Sequence, residues 1–337
     1  MNELYPLKFK PLLKEKIWGG QHLKTLLNKP FPENKKIGES WEISGVEGNL
    51  SIVDNGYLQG NSLQELIEIY MGDMVGDRVY DHFGIEFPLL IKFIDANDVL
   101  SIQVHPDDEL AKKRHNAFGK TEMWYVIKAE KNAELISGFN QKIDKTTYLK
   151  YLKSNELPKI LNYEKVKEGD VFFIPSGRVH AIGKGIVLAE IQQTSDITYR
   201  IFDWNRKDEQ GNYRELHTEL ALDAIDFNFY DNYKTDYKIT LNKDSNILTC
   251  PYFKTNIIKF DKTIEKDYNL LDSFVIFMCI EGQFKINYSK DKNITVSKGE
   301  TILIPAVLEH LVLIPVIQCK LLEIYIPEPA DEKSTSK

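Results

Sequence analysis

Two of the seven histidines stand in company that could do chemistry. If Val99–His105 (VLSIQVH) is a strand, Ser101, Gln103 and His105 point to one face and Leu100, Ile102 and Val104 to the other. Glu122 opens a second strand-like run, EMWYVIKA, in register with Trp124 and Val126. His180 closes a third stretch, Pro175–His180. Two imidazoles, a carboxylate and an amide oxygen form a hard-to-borderline donor set suited to zinc or another divalent first-row metal. A lone QxH is more often just the polar face of a half-buried strand. Ligands carried on three separate strands converge only if those strands close into a barrel.

An internal repeat predicts such a closure. Val166–His180 (VKEGDVFFIPSGRVH) aligns without a gap on Val296–His310 (VSKGETILIPAVLEH). Gly169 and Gly299 each precede an acidic residue, a strand, Ile-Pro, and a His five residues past the Pro. Glycine permits a tight turn into the strand, and proline stops ladder pairing where the strand ends. Two copies 130 residues apart imply a duplicated β domain.

The remaining elements fit that reading. Pro88–Ile94, Val171–Pro175 and Ile186–Gln193 are short apolar or alternating runs bounded by turn residues, and SFVIFMCI, FKINY, TILIP and LLEIYIP continue the style. Helices interrupt them. Ser62-Leu-Gln-Glu65 reads as a capping box ahead of Leu63, Leu66, Ile67 and Tyr70 on one side. Thr147–Leu161 and Arg214–Ile225 read as two further short helices. The expected fold is mostly β: two antiparallel barrels with helical insertions.

Composition bounds the function. A net charge of −7 with no basic stripe argues against a nucleic-acid platform, although a local cluster of lysines could still take an anion. Cys250, Cys279 and Cys319 are odd in number and far apart, so neither a disulfide framework nor a thiolate zinc site is indicated. The lysine-rich N-terminus lacks the apolar core of a signal peptide, and Phe274–Ile280 is too short to span a bilayer. A cytoplasmic protein without membrane segments is expected, with its oligomeric state left open.

The repeat, G-[DE]-x-x-x-I-P-x-x-x-x-H, resembles the second signature of the cupin superfamily, which implies a bicupin of two jelly-roll barrels. A closer resemblance is carried by KFIDANDVLSIQVHPDD (Lys92–Asp108), GKTEMWYVI (Gly119–Ile127), PSGRVHAIG (Pro175–Gly183) and SDITYRIFDWNR (Ser195–Arg206), with WGG and IGESWEIS upstream. These look like the motifs of the type I mannose-6-phosphate isomerases, in their short bacterial form, over about residues 10–206. The resemblance implies Zn2+, one ion per chain, held by Gln103, His105, Glu122 and His180. It places a catalytic arginine on Arg200, lysines near the substrate on Lys120 and Lys92, and a phosphate-binding serine on Ser101. Long members carry His-Lys-Pro-Glu where this chain has Gly119-Lys-Thr-Glu122, so an acid–base role for that His does not transfer.

The implied reaction interconverts mannose 6-phosphate and fructose 6-phosphate. A proton moves between C1 and C2 through an enediol, and negative charge develops on sugar oxygens. A Lewis-acidic metal and a fixed guanidinium both stabilise such charge, while lysines and a hydroxyl suit a phosphate dianion. Three candidates remain for moving the proton: a water held at the metal, Glu122 and Lys120. Two rival readings stay open, a non-catalytic regulatory homologue that binds sugar phosphate and an iron-dependent cupin oxidoreductase. Asp107 and Asp108, following a strand and a Pro, read as turn or helix-cap residues. His22, His82, His115 and His217 have no partners at ligand spacing. Upstream of Gly299 there is no second QxH and no counterpart of Glu122, so His310 stands alone. The expected division is a metal-binding barrel at 1–235, a degenerate barrel at 236–327 and a polar tail at 328–337.

Overall fold

The computed structural model describes residues 3–207 and 210–328, so all of the expected tail but Glu328 lies outside the described residues. Two antiparallel sheets face each other in the first half. One has six strands in the order Leu12–Gly20, Ile37–Ile43, Leu89–Ala96, Ile186–Gln193, Glu122–Ala129 and Val171–Ile174. The other has five: Tyr199–Phe202, Ile102–Val104, His180–Ala181, Glu134–Phe139 and Leu161–Lys165. Their inner faces meet over Ile94, Leu100, Trp124, Leu135, Phe172, Ile182 and Leu188, which form an apolar floor to the barrel.

The second half forms one eight-stranded antiparallel sheet that bends over on itself. Its backbone is two long strands, Val275–Ser289 and His310–Tyr325, so SFVIFMCI and FKINY belong to a single element. Register shifts between Cys279 and Phe284, with Gly282 at φ +82°, supply the bend. Leu7–Lys8 at the N-terminus pairs with Thr301–Ile304 and so joins this sheet.

The repeat has a physical basis in the turn before its strand. Gly169 and Gly299 have φ of +85° and +84°, a region that a Cβ disfavours. The acid that follows closes the turn in both copies: Asp170 accepts from Lys167 N at 3.0 Å and Glu300 from Ser297 N at 2.6 Å. The same kind of turn thus recurs in both halves of the chain, as the duplication requires.

The barrels pack back to back. Leu89, Ile91, Phe93, Met123 and Tyr125 on the outer face of the six-stranded sheet share one core with Phe253, Phe274, Ile276, Met278, Leu322 and Ile324. Phe87 meets Phe274 with ring centroids 4.6 Å apart. This is why LLIKFIDA is buried throughout rather than alternately. Helix Leu63–Tyr70 seals the same core, and its capping box is present, with Ser62 N donating to Glu65 at 2.7 Å. The expected helix at Thr147–Leu161 is Lys145–Lys153 followed by a 3-10 turn at Leu157–Ile160, broken at Asn155 with φ +59°. The one expected at Arg214–Ile225 is shortened to Thr218–Ala224. Arg214 is drawn away because its guanidinium grips Asp203, together with Arg206. These helices cover the outer face of the five-stranded sheet. No helix among the described residues is long and apolar enough to cross a membrane.

Candidate metal centre

Cross-strand register sets the site. Arg200 stands opposite Gln103, Gln103 opposite His180, and His180 opposite Ser137, one row across four strands of the five-stranded sheet. On the facing sheet Glu122 lies between Gln192 and Ile174. Residues directly opposite in a ladder share a face, so this register aims Gln103, His180 and Glu122 into the lumen, above its apolar floor. Only Ile102–Val104 of the expected Val99–His105 strand is laddered, and Ser101 and His105 flank it, both buried.

His105, Glu122 and His180 converge, with one ligand atom from each within 4.8 Å of the others. His180 Nε2 is 3.4 Å from Glu122 Oε1, and His105 Nε2 is 3.6 Å from Glu122 Oε2. Each imidazole has its other nitrogen tied to a backbone carbonyl: His105 Nδ1 to Ile197 O at 2.9 Å, His180 Nδ1 to Arg178 O at 2.8 Å. A carbonyl can only accept, so both protons sit on Nδ1 and both Nε2 lone pairs face Glu122. Arg178 is itself held between the Tyr230 and Tyr233 rings, at 4.4 and 4.8 Å from their centroids.

The result is three converging groups, of which only His180 Nε2 has a hydrogen-bond partner, the Gln103 amide. His105 Nε2 and both Glu122 oxygens are buried without a hydrogen-bond partner. Such groups carry a desolvation penalty that a cation between them removes. Burial, and then the charge of Glu190, push the Glu122 carboxyl up to about 8. Burial also pulls His180 down to about 4 and His105 well below its ordinary range. Both shifts favour neutral imidazoles, the form that binds metal. The donor set therefore fits a divalent first-row metal. Gln103 Nε2 lies 3.2 Å from His180 Nε2, and a half-turn of the amide presents its oxygen to the same point.

Among the other expected residues, Lys120 directly adjoins this centre. Lys120 is buried with Nζ 3.7 Å from Glu122 Oε2, and burial followed by repulsion from Lys92 lowers its pKa. Lys92 is buried in mid-strand, donating to Glu190 Oε1 at 2.9 Å and Gln192 Oε1 at 2.6 Å. Arg200 is half-buried, and its Nη1 donates to Glu215 O at 2.8 Å. Asp107 caps helix Asp108–His115 through Leu110 N, as its position after Pro106 suggests. His22 is paired, with Nδ1 3.1 Å from Asp95 and Nε2 2.8 Å from Lys128.

Sequence reasoning missed Glu190 and Gln192. Glu190 bridges Lys92 and Trp124 Nε1, the latter at 2.9 Å. The available signal was a pair of polar residues two apart in an otherwise apolar strand, IVLAEIQQ. In a strand buried on both faces, that spacing marks one lumenal row.

Fold and site together define a metal-binding bicupin whose first barrel carries the ligand cluster. The comparisons narrow the class. Residues 6–136 match the phosphomannose isomerase type I catalytic domain. Mannose-6-phosphate isomerase ManA of Bacillus subtilis is 36% identical over 306 residues, covering 89% of this chain and 93% of that protein. The mannose-6-phosphate isomerase of Streptococcus mutans is 41% identical over 220 residues, 65% of this chain and 67% of that one. The crystal structure of the mannose 6-phosphate isomerase from Bacillus subtilis superposes with a TM-score of 0.85 at 33% identity, covering 95% of this chain and 99% of that one. The chain belongs to the type I phosphomannose isomerase family of enzymes.

Proposed function

We propose that this protein interconverts mannose 6-phosphate and fructose 6-phosphate in the cytoplasm, with one Zn2+ held by His105, Glu122, His180 and Gln103. The observation that carries the reading is the group of buried acceptors with both imidazole protons tied away. In a chain of this family, that arrangement is the place for the metal. The ion supplies Lewis-acid stabilisation of the charge that develops on the sugar oxygens. We assign this chemistry to the barrel within about residues 1–235, and the region 236–327 to the second barrel.

The protein's own groups do the rest. Arg200, in the same row as Gln103 and His180, faces the substrate and balances oxyanion charge in the enediol. Lys120 beside Glu122 is held where it can carry a proton, its charged form disfavoured by burial and by Lys92. Two of the three Lys92 N–H donors go to Glu190 and Gln192, leaving one for a substrate oxygen. The Ser101 hydroxyl is the second substrate contact.

A coupled isomerase assay on several hexose 6-phosphates, before and after chelation, tests the proposal. Turnover of mannose 6-phosphate that vanishes on chelation and returns with Zn2+ supports it. Sugar-phosphate binding without turnover would favour a regulatory homologue, and activity restored by iron alone would favour the redox reading.

A further inference from the structure

The segment Gly119–Glu122 carries two residues of the site, Lys120 and Glu122, yet only Glu122 begins a strand. Something else must fix the three residues before it. Each of their backbone N–H groups has a partner. Gly119 N donates to Asp108 Oδ1 at 2.8 Å, Lys120 N to Pro106 O at 3.1 Å, and Thr121 N to Gln193 Oε1 at 2.8 Å. Gln193 is in turn held by Asp108, through Nε2 to Oδ1 at 3.0 Å, and its own N–H donates to Thr121 O at 3.1 Å. One carboxylate oxygen therefore serves both ends of the bracket. The approach is close: a Cβ on Gly119 would lie 2.6 Å from Asp108 N, so glycine is required there.

The other Asp108 oxygen reaches across the molecule. Oδ2 accepts the Tyr252 hydroxyl at 2.6 Å, and Tyr252 lies in the turn between strands Lys243–Thr249 and Lys254–Phe260 of the second barrel. This links the second barrel to the metal-site segment through a single side chain.

We infer that Asp108 is a positioning residue: with Gln193 it fixes Lys120 and Glu122 against the site, and Tyr252 fixes Asp108 from the second barrel. Helix capping, the role its sequence position suggests, belongs to Asp107 alone. The second barrel thus contributes to the site's geometry as well as to the core. The inference rests on the isomerase reading for its kinetic part and on the metal centre alone for its binding part.

The test uses the full chain with Asp108→Ala, Asp108→Asn and Tyr252→Phe, and Tyr57→Phe as a distant hydroxyl control. Zn2+ affinity is measured by competition with a chromogenic chelator, kcat and KM are measured separately, and melting is followed in parallel. Asp108→Ala is expected to weaken Zn2+ binding about tenfold, as loss of a group behind a ligand does. It should lower kcat per bound metal about 100-fold through misplacement of Lys120, with KM little changed. Asp108→Asn should recover most of both, because its amide oxygen still accepts from Gly119. Tyr252→Phe should show a smaller fall in kcat, and Tyr57→Phe none. Zn2+ affinity and kcat per bound metal at wild-type values in Asp108→Ala, even with a lowered melting temperature, would overturn the inference and leave Asp108 a stability residue. If the wild-type protein shows no turnover, the isomerase reading fails, while the chelator competition still decides whether Asp108 positions Glu122.

Discussion

The two barrels can be laid over one another strand by strand, because Ile174 and Ile304 occupy the same place in the repeat. Glu122 pairs with Ile174, and Val275 pairs with Ile304, so the second barrel has valine where the first has its carboxylate. Gln103 stands opposite His180 and Asp267 opposite His310. Two residues further on, His105 corresponds to Asn269. The next row departs differently. Trp124 and Phe277 correspond, and across from them stand Glu190 and Glu323, a carboxylate in both lumens. Beyond these, Lys92 corresponds to Asn256.

The first row differs in polarity, Glu122 against Val275, and the lumens differ also in how far their buried groups are satisfied. In the second lumen Glu323 accepts from Tyr268 at 2.6 Å, from Asn256 at 2.7 Å and from Lys266 at 2.7 Å. In the first, Glu190 is satisfied by Lys92 and Trp124, but Glu122 and His105 one row away are not. Buried polar groups that are all paired make a structural network, whereas unpaired metal-ligating groups that converge on one point, as His105 and Glu122 do, fit a bound cation. Among the described residues no second group of three metal-ligating side chains comes together.

The sharpest way to break the comparison is to give the first barrel the second barrel's residue. Glu122→Val should abolish metal retention and lower turnover at least about 1,000-fold, because a ligand and the segment's charge are both lost. Melting of the metal-free protein should change little, since removing two buried oxygens that lack hydrogen bonds offsets the loss of the ion pair to Lys120. His180→Ala should lose metal and activity likewise. A Glu122→Val protein that keeps its metal would show that the ligands lie elsewhere.

Arg200→Ala ranks next. On the role proposed for Arg200, its removal should lower kcat by about 100-fold, with metal content unchanged because the guanidinium is not within the cluster of His105, Glu122 and His180. Activity within a few-fold of wild type would remove Arg200 from the site and leave its row to the metal ligands alone.

How much of this was legible in the sequence varied with the kind of constraint. The repeat was legible because a left-handed glycine, an acid closing the turn and a strand-ending proline are local requirements. Glu122–Ala129 and Ile186–Gln193 have the bounds their patterns suggest. Val99–His105 was read too long, because alternation continues past the last ladder partner and pairing depends on the neighbouring strand. Glu190 was hidden by burial on both faces of its strand, which erases the contrast that periodicity needs. Asp108 was hidden because its partners, Gly119, Gln193 and Tyr252, are as much as 144 residues away.

Glu323→Leu should act on stability alone. It strips Lys266, Tyr268 and Asn256 of a shared buried acceptor, and breaking such a pair from one side costs about 3–5 kcal/mol. Asp244, 2.5 Å from Lys266 but half-exposed, offsets part of this. Calorimetry should show a lower melting temperature, while metal content and kcat per folded molecule stay at wild-type values. Loss of metal would mean that the second lumen supports the first site more directly than by packing.

The smallest effect is expected at His310, and it bears most directly on the duplication. His180 and His310 close the same fifteen-residue pattern, so local sequence cannot separate them. Their surroundings do. His180 is fully buried with Nδ1 committed to Arg178 O, whereas the His310 side chain is 69% exposed and meets only a 62% exposed Asp267, at 3.4 Å. An exposed pair of this kind contributes about 0–1 kcal/mol at most and is screened by salt. With Glu122 replaced by Val275 and His105 by Asn269, nothing beside His310 completes a coordination shell. His310→Ala should therefore keep metal content, turnover and melting temperature near wild type, where His180→Ala loses the first two. Equal loss of metal from both variants would mean that the second barrel is a site as well. The difference between the barrels would then have to be sought in their ligands rather than in the presence of one.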